Sequence, residues 1–509
     1  MKENYFLLDT NPGSCFLSDI PVIDYVQFYQ EMSGLLMQET MHIAQYFCVP
    51  ADQILKFYCI VADDEMHQLR IYAHECQREN ASLESLTAVH QSMHIFEREM
   101  YENSGVEFPG HPWLKPVRWP HNRAAQQSKM DDYPFFKIDS PDLHEVGVGP
   151  VHAGVIEPGH FRFICNGEHV YHLEIHLGYQ HRGVESLFAE KKNLLHKAVL
   201  SEQIAGDTAV GHSLCFSQLI EKASNVEVFE KLQLERVIAL ELERVAVHLG
   251  DTAALCGDIA YQLGQVVCES LRTIVINTTQ YWCGNRFGKG FIRPGGTRYP
   301  MSEREVAEIL NNLENVKHRF EEMAAHLYSM PGSLSRFDGI GTVSHDQGIH
   351  AGLTGMAARM TGIKRDVRTS HPFQYFKNHA YEPVTFSSGD VLARALMRRG
   401  EIHESIELIC DLISKWRDLA NLQAENVPIP DYTMALQADC MTVSMVEGWR
   451  GEIVHIALTD KNGNIYQYKV KDPSMHNWFG LALAVRNQQI SDFPVCNKSF
   501  NLSYCGYDL

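Results

Sequence analysis

The chain has 509 residues, 45% of them hydrophobic, and a formal net charge of −19. That length calls for two or more domains. The negative balance argues against a nucleic-acid partner, which would need basic patches, and with no apolar run of about 18 residues nothing is built to span a bilayer. The opening MKENYFLLDTNPGS lacks the charged-then-apolar layout of a secretory leader, so a cytoplasmic chain is expected. Thirteen cysteines are scattered singly, and no CxxC occurs. In a reducing compartment such cysteines are small buried hydrophobes, and an Fe–S cluster held by this chain is not expected.

Residues 1–118 read as one α/β unit. KFYCIVADD (56–64) and HQLRIYAHE (67–75) are β-rich and pair as a hairpin across an acidic turn. The following stretch, 82–106, reads as a helix with Leu83, Leu86, Val89, Met93 and Phe96 on one face. His90 and His94 stand four apart on it. No third ligand is in view, and they are read as ordinary helix-surface histidines. Residues 119–147 are polar and Pro-containing without periodicity, which marks a linker. The remainder, 148–509, is mainly helical, with apolar residues at helical spacing over 189–219, 226–249, 253–281, 303–328 and 390–424. The Gly/Pro-rich stretch 287–300 breaks that run, and GEIVHIALTD with GNIYQYKV forms a late hairpin. The expected fold is α+β: a small α/β domain, then a larger helical domain with a β appendage.

Several stretches resemble one family in its own order. GPVHAGVIEPGHFRF (149–163), HLGYQHRGVE (176–185), ELERVAVHL (241–249), FIRPGG (291–296), GLTGMAARMTGIKRDVR (352–368), GDVLARALMR (389–398) and VEGWRGE (446–452) are similar to the large subunit of membrane-bound [NiFe]-hydrogenases of group 4 and to its relative in respiratory complex I. FEREMYENSGVEFPGHPWLKP (96–116) resembles the signature of complex I's small hydrophilic subunit. The chain therefore resembles the fused, formate-hydrogenlyase-like arrangement of the two subunits. In the hydrogenases two CxxC pairs hold nickel and iron. Here the first pair is replaced by Ala205 and Thr208, and Cys496 and Cys505 are too far apart to form the second. Four soft thiolates stabilise such a centre, whereas Ala has no donor and a Thr hydroxyl is a poor one.

The resemblance implies a polar cavity without metal at the junction with an Fe–S partner. Its catalytic candidates are Glu185, Asp207, His212 and Arg450, and its substrate-side candidates are His152, His160, His181, Arg182 and Asp492; Glu157 is a further polar position. Glu185 matches the family's proton-relaying Glu, a role that burial favours by raising a carboxyl's pKa. Arg450 matches an Arg overhanging the site, and Asp207 is placed to pair with Arg450 or His212. Arg293–Gly296 reads as a turn against the Fe–S partner. Arg365, Asp366 and Arg368 read as an ion-pair cluster, and Glu241, Arg244 and His248 as pins within the bundle.

The function implied is that of a peripheral-arm subunit of an energy-converting oxidoreductase, on the inner face of the cell membrane. Its expected partners are an Fe–S small subunit, a ferredoxin-like Fe–S subunit and antiporter-like membrane subunits. No cofactor is expected on the chain itself; the clusters belong to the partners, and the acceptor is a quinone or another small molecule. A silent structural subunit is the alternative, and an active hydrogenase the least favoured reading.

Overall fold

β-Branched and aromatic runs in the first 80 residues build the N-terminal sheet of this computed structural model, which describes residues 4–152, 156–422 and 432–509. Ile54–Asp63 and Gln68–Gln77 pair antiparallel from Asp63↔Gln68 outward, as the expected hairpin requires. Met41–Ala51 joins one side, while Phe6–Leu8 and the parallel strand Val22–Ile23 join the other. Helix Tyr25–Leu35, whose first turn is capped by Asp24, packs on this sheet through the fully buried Phe28 and Met32.

The helix expected over 82–106 requires correction. Only His94–Ser104 is α-helical, and it stops at Gly105 in the left-handed conformation. Residues 86–93 wind instead as two short 3₁₀ turns. The cause is Glu97, whose carboxylate accepts bonds from the Ser85 hydroxyl (2.5 Å), the Leu86 amide (2.7 Å) and the Thr87 hydroxyl (2.7 Å). These bonds satisfy backbone groups that a continuous helix would have satisfied itself. His90 is extended and His94 opens the helix; both are buried, so they are not two surface residues of one helix.

Between residues 119 and 143 the only helical turn is the 3₁₀ turn Met130–Asp132, and strand His144–Val148 then enters a three-stranded sheet with His160–Asn166 and His169–His176. The apolar run 189–219 is not one helix but parts of three: Val184–Glu190, Leu194–Ser201 and Ala209–Ala223. Asn193 caps the second, and the loop 202–208 separates it from the third. A single 29-residue helix, Glu230–Asp258, then replaces the expected break near 250. Gly250 is there for close approach: a Cβ on it would lie 2.9 Å from Arg272 of the neighbouring helix. The chain turns at Ile259–Tyr261 instead, into Gln262–Cys283.

Glu303–Leu327 follows its sequence signals closely. Ser302 and Glu305 form a capping box, and Val306, Ile309, Leu313, Val316 and Phe320 make the buried stripe. With Val391–Leu422 these helices pack as a bundle. The late hairpin forms as Glu452–Thr459 with Ile465–Lys471, and Cys440–Glu447 extends it. The fourth strand of that sheet is Gly13–Phe16, so the N-terminal segment is woven into the C-terminal sheet. No described helix is long and apolar enough to cross a membrane.

Candidate functional site

The site is built on a turn. Strand Cys440–Glu447 runs into Gly448–Trp449–Arg450–Gly451, closed by reciprocal backbone bonds between Gly448 and Gly451 of 2.9 and 3.1 Å. Arg244, from the long helix, donates to the carbonyls of Glu447 (2.9 Å) and Gly448 (3.1 Å) and fixes the start of the turn. Its far side rests on Gly355, where an added Cβ would lie 2.1 Å from the Gly451 Cα. The Arg450–Gly451 backbone is thus packed directly against Gly355.

From that turn the Arg450 guanidinium reaches the loop preceding helix Ala209–Ala223. Nη1 and Nη2 bind the two carboxylate oxygens of Asp207 at 2.7 and 2.6 Å, a bidentate fork. Nε donates to the Asn501 carbonyl at 2.6 Å, and Nη1 also reaches the Thr208 hydroxyl at 3.2 Å. The guanidinium lies 3.9 Å over the Trp449 ring. Burial works against the charge on Arg450, but the facing Asp207 carboxylate outweighs it and holds the pKa above the ordinary value. Trp449 secures the same loop, its indole N–H donating to the Asp207 carbonyl (3.0 Å) and the Thr208 hydroxyl (3.1 Å).

A cavity of about 250 Å³ opens beside this pair. Its walls are Glu157, Gly206, Asp207 and Arg450 on one side and Asn501–Cys505 on the other. The Cys505 thiol lies against the Gly206 amide, and burial pushes its pKa up, so it stands as a thiol. Ala205 offers no donor atom, and the Thr208 hydroxyl is already engaged. Among the described residues no group of three or more His, Cys, Asp or Glu is placed to hold a metal ion. These residues do not fit a centre that needs four thiolates.

Glu243, missed at the level of sequence although it lies within ELERVAVHL, completes the loop. Its two oxygens accept the amides of Val210 (2.7 Å) and Gly211 (3.1 Å), donors that the first turn of helix Ala209–Ala223 leaves free. Burial raises its pKa to about 8, against the opposing effect of those two bonds. Trp449 was passed over in the sequence, and Cys505 was weighed there only as a cysteine too far from Cys496 to pair with it. Trp449 adjoins Arg450 in VEGWRGE, which was the available signal; nothing in the sequence distinguished Cys505 as a wall residue.

The remaining expected residues are distributed around this cavity rather than gathered in it. His152 meets the Tyr504 hydroxyl at 3.4 Å at the cavity's edge, its pKa lowered by burial and by Lys498. His212 lies deeper and does not pair with Asp207. It bonds His455 (3.1 Å) and Asp472 (3.1 Å), and His455 continues to the Tyr468 hydroxyl (2.7 Å). His181 bonds the Asp508 carbonyl at 2.8 Å. Arg182 clamps the Ile204 and Cys505 carbonyls at 2.9 and 3.0 Å, which ties the two cavity walls together. His160 faces the Gly149 carbonyl (3.2 Å), and Asp492 opposes Arg336 (3.4 Å); neither lines the cavity.

Glu185 also stands apart from the cavity. It binds Lys469 at 2.7 Å and accepts the Val470 amide at 2.9 Å. Lys469 also bonds Glu99, which Arg118 holds from its other side at 2.9 Å. Burial, with help from the nearby Glu99 charge, raises the Glu185 pKa over the opposing pull of Lys469. The bundle pins expected at Glu241, Arg244 and His248 are present, with Glu401 accepting from His248 (2.6 Å) and Arg244 (3.4 Å). Asp366 joins Arg368 (2.7 Å) and Arg359 (3.0 Å) in the same buried cluster, while Arg365 crosses to Asp64 (2.9 Å). Arg293 and Gly296 pair as the ends of the expected turn.

Two sequence families match this architecture in order. The respiratory-chain NADH dehydrogenase 30 Kd subunit family matches residues 7–134 and the 49 Kd subunit family residues 258–508. Hydrogenase-4 component G of Escherichia coli (strain K12) is 24% identical over 394 residues, covering 77% of this chain and 67% of that protein. Carbon monoxide-induced hydrogenase of Rhodospirillum rubrum is 28% identical over 359 residues, 70% of this chain and 97% of that one. NADH-quinone oxidoreductase subunit 4 of Thermus thermophilus is 24% identical over 370 residues, 69% and 90% of the two chains. The chain belongs to the group 4 hydrogenase-like family in which the complex I 30 kDa and 49 kDa units are joined in one polypeptide.

Proposed function

We propose that the chain is a peripheral subunit of a membrane-associated oxidoreductase complex, and that its cavity works in proton-coupled electron transfer without nickel. The relatives support the general setting: they are components of hydrogenases and of NADH-quinone oxidoreductases. One observation carries the finer reading. Where the resemblance calls for a thiolate pair, the loop 205–208 instead presents a carboxylate gripped by a fixed guanidinium. Arg450 has a delocalised positive charge on the cavity wall, suited to an anionic intermediate. Asp207 and Glu157 are the carboxyls facing the same space, and Glu243 holds a proton near neutral pH directly behind the loop.

In this reading an Fe–S subunit supplies the electrons, with a ferredoxin-like Fe–S subunit and antiporter-like membrane subunits completing the complex. The acceptor is a quinone or another small molecule, reduced by two electrons and two protons. The chain's own residues orient that acceptor and hold or pass protons; the clusters stay in the partners. The second reading, a silent scaffold, draws on one observation: Asp207 and Arg450 already satisfy each other. The test is metal analysis of the purified chain and complex, with the acceptor-reductase activity of Asp207→Asn and Arg450→Met assemblies. Absence of nickel with activity falling at least tenfold is expected. Stoichiometric nickel on this chain overturns the proposal, and full activity of both variants selects the scaffold.

A further inference from the structure

A second cavity, of about 410 Å³, lies elsewhere in the molecule, between helix His94–Ser104, the segment 112–115, strand His169–His176 and helix Ser474–Val485. It has no role in the site above. Its walls are aromatic: Trp113 and Phe479 stack at 5.5 Å and 26°, and Phe136, 50% exposed, stands at the mouth. Within those walls sit two polar groups without adequate partners.

The first is His94. It is buried against Trp113 and Phe479, with ring centroids 5.2 and 5.4 Å away, and neither ring nitrogen has a hydrogen-bond partner. Burial, with Arg98 next, holds its pKa well below the ordinary value, so the ring is neutral and offers one donor and one acceptor. A buried imidazole lacking both bonds is costly unless something else supplies them.

The second is Arg98, one turn further along the helix and also buried. Nε and Nη2 donate to the Lys115 and Pro116 carbonyls at 2.8 and 2.9 Å. Nη1 has no hydrogen-bond partner, and no carboxylate lies within 4 Å of the guanidinium among the described residues. Several buried arginines elsewhere in this chain have a carboxylate: Arg236 has Glu221, Arg244 has Glu241, and Arg398 has Asp251. Arg394 has none, but all three of its guanidinium nitrogens are engaged, by Ser499, Met360 and the Gly389 and Gly341 carbonyls, whereas Nη1 of Arg98 is not. A buried cation needs a counter-charge. Lys115 is matched by Glu174, and the exposed Arg486 adds a further cation to the lining. In a chain of net charge −19, this cavity has three cations against one carboxylate.

We propose that this cavity is a binding site for a small planar aromatic anion. Its ring lies against the edge of the Trp113–Phe479 stack with Phe136 at the mouth, its negative group meets Arg98 with Arg486 at the mouth, and His94 bonds a polar ring substituent. The volume is within the range of small-ligand pockets, and aromatic walls with a few placed polar groups set orientation and specificity.

The test uses the full chain with 2-naphthoate and its neutral isostere 2-naphthalenemethanol, followed by calorimetry and by emission of Trp113 and Trp478. One naphthoate per chain, bound at least tenfold more tightly than the alcohol, is expected. Ala482→Phe, which fills the cavity from helix Ser474–Val485, should abolish both. Arg486→Glu, an exposed change that leaves the fold alone, should weaken naphthoate at least threefold and leave the alcohol unchanged. Equal affinities for the two probes, more than one site per chain, or naphthoate binding indifferent to Arg486→Glu overturns the proposal.

Discussion

Removing the carboxylate from Asp207 tests whether the fork with Arg450 works as a pair. Cutting one member of a fully buried ion pair costs about 3–5 kcal/mol, because the other is stranded. That ceiling does not apply here. The Asp207 side chain is 38% exposed, so water can reach the guanidinium once the carboxylate is gone. Arg450 also keeps the Asn501 carbonyl, the Thr208 hydroxyl and the Trp449 face. A charged hydrogen bond contributes about 1.5–3 kcal/mol, and with solvent screening a coupling of about 1–2 kcal/mol is expected. The assay is a double-mutant cycle of Asp207→Ala, Arg450→Met and the double variant, read by urea unfolding of the transition that contains the C-terminal sheet. Additivity within about 0.3–0.5 kcal/mol would refute the pairing. A coupling above about 3 kcal/mol would instead mean that the pair is sealed from water in solution.

Glu243 predicts a pH dependence. Its pKa is raised to about 8 in the fold, so across the interval up to that value the folded chain binds a proton that the unfolded chain has released. Its contribution is present in full below the unfolded-state pKa and is lost as pH rises through 8, with a slope of at most about 1.4 kcal/mol per pH unit; stability curves of Glu243→Gln should lack this component, and identical curves would count against it. Gly355→Ala places a Cβ 2.1 Å from Gly451 Cα, at a positive φ of 59°, and should abolish soluble folded protein; a normally melting variant would contradict the contact. Trp449→Phe removes the indole bonds to Asp207 and Thr208 while keeping an aromatic face under Arg450, and should cost about 1 kcal/mol, measured by the same unfolding assay. Glu185→Gln in the assembled complex should displace one limb of the pH–rate profile; an unchanged profile removes Glu185 from any proton path.

The parts of the fold legible in the sequence were those in which one local pattern decides the outcome. The strands around the 63–68 turn are β-rich runs that end in a polar turn, and Glu303–Leu327 has both a capping box and a clean apolar stripe. Failures arose where a distant group took over. Glu97 draws the 85–87 backbone into bonds that a helix cannot accommodate, and nothing near His90 announces it. Gly250 looks like a breaker but serves the approach of Arg272, and only the neighbouring helix reveals that. At the site, the resemblance left Asp207 two partners, Arg450 or His212, and the fork forms with Arg450. The resemblance could not tell that His212 would turn to Asp472 and His455, because that choice depends on strands over 240 residues away. Glu243 was hidden within its motif: it lies between Glu241 and Arg244, and its partners, the Val210 and Gly211 amides, are more than 30 residues away.

The two sequence units are also held together in a way that constrains what either does. Glu99 and Arg118, from the first, meet Lys469 and the Tyr507 carbonyl of the second. Asp64 meets Arg365 at 2.9 Å, and His42 meets Glu452 at 2.7 Å. The Arg365 and His42 contacts cross the join with charges that are almost wholly buried, and the Lys469 network continues directly to Glu185. For Asp64 the opposing cations outweigh the burial that would raise its pKa and hold it low; for Glu452 they do the same. Separating the units would strand each of these charges, a penalty that grows with every pair broken. A change of protonation at Glu185 therefore acts on Lys469, then on Glu99 and Arg118, which lie in the N-terminal unit. The same residues that fasten the two units together give Glu185 an electrostatic hold on both.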